Sequence, residues 1–175
     1  MNNCDIQEIA RYIGLSCLTK GLSISPLKLQ KLLYYVQSWY MALHGRDSQL
    51  FADTPQAWVN GPVYPAVYHE YKEKVPGMCD HLKVEDFCSE SPENVLSRIQ
   101  SRYAGLDFEL MESVILLYGA KTQNELIFLT HSEQPWMEAR EGLRPFDRSE
   151  REMSLDMMCA YYRDRKERNS TRHEA

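Results

Sequence analysis

The chain has 175 residues, a hydrophobic share of 43% and a formal net charge of −5. This length accommodates one domain with a substantial core, and no apolar run approaches the roughly 18 residues that span a bilayer. The acidic balance argues against a general nucleic-acid binder, which carries a basic face. With no basic stretch leading into an apolar one at the N-terminus, a signal peptide is not expected and a cytoplasmic protein is. The five cysteines, Cys4, Cys17, Cys79, Cys88 and Cys159, are odd in number and scattered. They form neither a disulfide framework nor a zinc pattern. Cys79 and His81 are near neighbours without a second pair, so no metal and no other cofactor is expected.

Asp5 to Thr19 reads as a first helix, with Ile6, Ile9, Ile13 and Cys17 at helical spacing, closed by Gly21. Ser25-Pro26 then gives an N-cap followed by proline at the first helical position. The helix they open should run over 26–44, with Gly45 as its left-handed terminator. Leu29, Leu32, Leu33, Val36, Trp39, Tyr40 and Leu43 form one stripe, yet Leu27, Tyr34, Tyr35 and Met41 cover the other side. A helix apolar nearly all round belongs at the centre of a domain. Its narrow polar ribbon, Gln30, Gln37 and His44, reads either as a seam that satisfies water or loop backbone, or as a strip inside a binding groove.

Residues 46–62 are the least helical, with an extended piece at Gln56-Ala-Trp-Val59 and a turn at Gly61-Pro62. A helix over 65–74 stops at Pro76-Gly77, and Leu82-Lys-Val84 is expected to be extended. Ser91-Pro92 starts a helix to about Tyr103, and Asp107 starts another that Gly119 closes. Thr122-x-x-Glu125 is a capping box opening a short helix to His131, and Pro135-Trp136 begins a further turn. Ser149-x-x-Glu152 reads as a second capping box for a last helix with Met153, Met157, Ala160 and Tyr161 on its inner side. The expected architecture is mainly α: a compact helical bundle around the 26–44 helix, with a short hairpin segment near 50–62. One domain covers 1–162, and the charged stretch 163–175 is expected to be disordered.

No catalytic constellation stands out. Ser25-x-x-Lys28 has the spacing of a serine acyltransferase nucleophile and its base, but the companion motifs are absent and Ser25 already serves as a cap. His131 ends a helix, where a cation is favoured by about 0.3–1 kcal/mol, and could act as a base or make a structural hydrogen bond. Trp58 and Trp136 sit beside prolines in turn-rich segments, as core anchors or as interface anchors.

Three blocks together resemble a known family. They are Lys28-Leu-Gln-Lys-Leu-Leu-Tyr-Tyr35, Ala57-Trp-Val-Asn-Gly-Pro-Val63 with Val67-Tyr68, and Leu129-Thr-His-Ser-Glu-Gln-Pro-Trp136. In order and spacing, over about 5–140, they resemble the Panacea domain, the SocA-like antitoxin or phage-associated GepA-like family. The resemblance implies a helical, non-enzymatic antitoxin that neutralises a cognate toxin protein by direct contact. One member is an adaptor that delivers its toxin to a protease. Many relatives add a DNA-binding helix-turn-helix, for which this chain has no spare length. An acidic domain suits a basic toxin. The candidate contact residues are Trp58, Asn60 and Gly61 of the turn, His131 and Trp136, and Lys28, Lys31 and Tyr35 of the central helix. The alternatives are a phage protein that binds a host factor, and an enzyme with a site near His131 and Tyr35.

Overall fold

A computed structural model describes residues 3–173; the last two residues of the expected tail, 174 and 175, lie outside it. The first helix, α1 (Ile6–Thr19), begins where the Asp5 carboxylate accepts from the Gln7 amide at 2.9 Å. Its Ile9, Ile13 and Cys17 are fully buried, as the spacing requires. The central helix α2 (Pro26–His44) is capped by the Ser25 hydroxyl, which accepts from the Lys28 amide. Gly45 ends it at φ 101°, a positive φ as expected, though with an extended ψ of 157°.

Nearly every side chain of α2 is buried, and neighbours surround it. They are α1, α6 (Phe108–Gly119), α7 (Gln123–His131), α9 (Leu155–His173) and a two-stranded antiparallel hairpin, β1 (Gln56–Trp58) with β2 (Gly61–Val63). From α6, Met111, Val114, Ile115 and Tyr118 point inward; from α9, Leu155, Met158, Cys159 and Tyr162 do. Three further helices, α3 (Pro65–Tyr71), α4 (Val84–Phe87) and α5 (Pro92–Arg102), cover α1. The Phe87 ring of α4 lies so close over Gly14 that a β-carbon there would come within 2.2 Å of it. Trp39 is only half-buried and donates its indole N–H to the Tyr118 hydroxyl at 3.0 Å, while Leu43 is 38% exposed.

The structure corrects four local expectations. The hairpin turns at Val59-Asn60, and Gly61 and Pro62 belong to β2, with Ala57 opposite Pro62 and Trp58 opposite Gly61. Of the expected extended piece Leu82-Lys-Val84, Lys83 is extended, but Val84 already opens the short α4. The last helix starts at Leu155, where the Ser154 hydroxyl accepts from the Met157 amide. Ser149 and Glu152 precede it and form no capping box, because Glu152 instead bridges to Gln56 beside β1. Met157 and Tyr161 are therefore half-exposed and Ala160 is exposed. Finally, the charged stretch from Arg163 is not a disordered tail: α9 continues through it to His173. Arg165 there reaches a buried acceptor, Glu133.

Candidate partner-binding site

The polar ribbon of α2 satisfies loop backbone. Gln37 donates to the Phe51 carbonyl at 3.1 Å and accepts from the Leu50 amide at 2.8 Å. Gln30 accepts from the Tyr64 amide at 2.8 Å, and the Lys31 ammonium donates to the Pro62 carbonyl at 3.0 Å. These side chains are fully buried and hold the segment 50–64 against α2. His44, the third member of the ribbon, is exposed and pairs with Asp107 at 3.0 Å. Burial alone pulls the Lys31 ammonium down from its ordinary 10.5 to about 7.

The hairpin is clasped from its other side by α7, by α8 (Gln134–Ala139) and by the chain leading into α9. Ala57 donates to the Arg151 carbonyl and accepts from the Arg140 guanidinium, so its polar groups point away from β2. Ala57 and Pro62 thus form a non-hydrogen-bonded pair, where the missing N–H of proline loses no ladder bond. Met153 donates to the Pro55 carbonyl and extends the pairing. The Trp136 indole donates to the Trp58 carbonyl at 3.0 Å. Arg140 also reaches the carbonyls of Arg144, Pro145 and Asp147, and it lies over the Trp136 ring at 5.1 Å. Gly61 is required here twice over. Its φ is 100°, and a β-carbon would stand 2.7 Å from the Thr130 hydroxyl and 2.9 Å from the Lys31 ammonium.

His131 stacks on Trp136 with ring centroids 4.0 Å apart and planes 12° from parallel. Its Nε2 is buried without a hydrogen-bond partner. Burial, and then the nearby Lys31 charge, push the ring below its ordinary 6.5, against a backbone hydrogen bond at Val59. The expected helix-end stabilisation of a cation is outweighed, and the neutral ring is favoured. Solvent meets this end of the molecule at the exposed Asn60 and at the half-exposed Trp58, Tyr68 and Trp136. The Trp58 ring packs edge-on against Tyr68 at 4.8 Å, and its N–H is held by Gln56 at 2.8 Å.

The remaining candidates lie inside. Tyr35 is fully buried and stacks on Tyr118 at 3.7 Å. Its hydroxyl donates to Glu133, which also accepts from Tyr34 at 3.1 Å, from Tyr162 at 2.6 Å and from Arg165 at 3.3 Å. Burial pushes the Glu133 carboxyl above the ordinary carboxylate range, although its donors pull the other way. Tyr35 is thus closed off from solvent within this network. Lys28 is buried and donates to the Gly119 carbonyl, while the Ser25 hydroxyl donates to Gln123. Ser25 and Lys28 therefore do not form a nucleophile–base pair. Sequence reasoning missed Thr130, Glu133 and Arg140. The first two lie within the Leu129–Trp136 block; Arg140, one helical turn beyond Trp136, carries no signal of its own.

A sequence profile described as "Antitoxin SocA-like, Panacea domain" matches residues 29–137. That span takes in α2 from Leu29 onward, the hairpin and its clasp just past Trp136. The chain belongs to this family. It is also 27% identical over 135 residues to Antitoxin SocA of Caulobacter vibrioides (strain NA1000 / CB15N), covering 75% of this chain and 68% of that protein. No solved structure matches. Among the described residues, no helix of this family member is long and apolar enough to cross a membrane.

Proposed function

We propose that this SocA-like protein is an antitoxin, which binds a cognate toxin protein directly and neutralises it without enzymatic chemistry. The observation that carries this reading is family membership over 29–137, together with the similarity to Antitoxin SocA. The contact surface is the hairpin end, where Trp58, Asn60 and Trp136 reach solvent, with His131 stacked behind Trp136. Half-exposed aromatics on a rigid support are the usual anchors of an interface. Lys31, Tyr35 and Gly61 serve that surface from inside by fixing the hairpin and the core beneath it.

The test is a growth rescue. The product of the adjacent gene is induced in a host with and without this chain, and the two are co-purified. Relief of toxicity with a stable complex supports the reading; a harmless neighbour, or unrelieved toxicity, redirects it to a host factor. A net charge of −5 favours a basic toxin, so the affinity should weaken as salt rises. Loss of the toxin only in the presence of a host protease would mark neutralisation by delivery rather than by occlusion.

A further inference from the structure

Two residue pairs singled out in the sequence, Ser25 with Lys28 and Cys79 with His81, meet at one place. With Thr122 and Gln123 they line a cavity of about 190 Å³, where the start of α2, the start of α7 and the connection before α4 converge. Lys28 is only 5% exposed. Its ammonium has three N–H groups, of which the Gly119 carbonyl takes one. Among the described residues no carboxylate lies within ion-pair distance of it, although Glu125 is near enough to act on its charge. Glu125 is turned to the Thr122 amide and hydroxyl, at 2.7 and 2.8 Å, and Asp80 to the Gly77 amide at 2.8 Å.

The other groups around the cavity divide sharply. The Ser25 hydroxyl accepts from the Lys28 amide and donates to the Gln123 side-chain oxygen. The Thr122 hydroxyl is occupied by Glu125. The first-turn amides of α2 are already bonded to Met78 and Ser25, so the helix end offers nothing further. What remains without a hydrogen bond within the described protein is two N–H groups of Lys28, the side-chain N–H₂ of Gln123, whose oxygen Ser25 holds, the Ser23 hydroxyl and the ring of His81. A buried cation at the wall of a cavity whose other unengaged side chains can donate is the complement of a small, acceptor-rich anion. The volume admits a phosphate with a few waters, or a short phosphate ester.

We propose that this cavity binds a phosphate group, with Lys28 as its buried counter-charge and Gln123 and His81 as its hydrogen-bonding walls. The site is separate from the hairpin end and does not depend on the antitoxin reading. Exposed Cys79 at its wall provides the readout. In phosphate-free buffer, inorganic phosphate should raise the thermal midpoint of the full chain more than chloride does at equal ionic strength. It should also slow alkylation of Cys79 several-fold, followed peptide by peptide, while that of Cys88 stays unchanged. Equal protection by glycerol phosphate would assign the site to phosphate esters, and weaker protection to the free ion. Lys28→Met should weaken binding at least about tenfold, as expected for a lost charge-assisted hydrogen bond. Should that variant fail to fold, Gln123→Leu and His81→Ala, both at positions open to solvent, carry the same test. Protection no better than with chloride, or binding unchanged in both of those variants, overturns the proposal.

Discussion

Glu133 and Lys31 are both buried charges within the family block, and they are compensated in opposite ways. Glu133 gathers side-chain donors from α2 and α9: Tyr34, Tyr35, Tyr162 and Arg165. Lys31 donates to one backbone carbonyl, that of Pro62. The first arrangement locks helix to helix through several mutually supporting bonds, as a buried polar network must. The second holds one edge of a hairpin through a single bond, at a group that burial has brought close to neutrality. Global stability should therefore follow Glu133, whereas the position of the hairpin end should follow Lys31 and the residues against it.

The strongest way to break this contrast is Glu133→Ala. It leaves three buried tyrosine hydroxyls without their acceptor and should cost about 3–5 kcal/mol, read from denaturant unfolding. Glu133→Gln keeps an acceptor and should cost less. Equal losses in the two would mean that the charge, rather than the network, stabilises the fold. Next is Gly61→Ala, which forces a β-carbon to φ 100° and against Thr130 and Lys31. Roughly 1–3 kcal/mol is expected, with the chemical-shift changes concentrated in 50–64 and 129–140. Shifts spread evenly through the chain would contradict a local role for the clasp.

Lys31→Met sharpens the comparison through pH. The folded-state pKa of Lys31 is depressed from 10.5 to about 7. Between those values the unfolded chain binds the proton that the folded chain has released, so this group adds stability as pH rises. At pH 6 the folded protein holds a buried cation, and the variant should show its greatest advantage. By pH 9 wild type should have regained about 1.4 kcal/mol per pH unit above 7, relative to the variant. A stability difference independent of pH would mean that Lys31 keeps its proton throughout. The smallest folding effect, about 1 kcal/mol or less, is expected for Trp58→Ala, because the ring is half-exposed and its backbone partner to Trp136 survives. Toxin binding by that variant should fall by about 2 kcal/mol or more if Trp58 is an anchor. His131 can be followed by NMR: its titration midpoint should fall below 6.5, and a higher midpoint would restore the helix-end cation.

Much of this architecture was legible from local rules. Ser25, Ser91 and Thr122 are N-caps whose side chains accept from the first-turn amides as expected, and Asp5 and Asp107, read as the starts of their helices, cap them in the same way. The central position of α2 followed from its lack of a polar face. Two of the errors share a cause, since each involves a partner distant in sequence. Glu152 looked like a capping-box residue but is drawn to Gln56, nearly a hundred positions away. The stretch from Arg163 looked too charged to be ordered, yet it continues α9, whose inner face packs on α2 and whose Arg165 finds Glu133.

The candidate site divides along the same line. The family resemblance marked the Trp58 turn and the Leu129–Trp136 block as belonging together, while helix caps and proline turns, being properties of short segments, outlined the elements that carry them. Whether a marked residue faces solvent or the interior was decided only by tertiary contacts. Lys31 and Tyr35 are consecutive-turn neighbours on a helix that has no outer face, so their polar ends had to find acceptors inside. Those acceptors, the Pro62 carbonyl and the Glu133 carboxylate, come from segments about 30 and 100 residues away. Sequence marked most of the segments that form helices and the pieces that must be buried. The long-range pairing of buried polar groups determined which of the motif residues hold the hairpin and which are left at its surface.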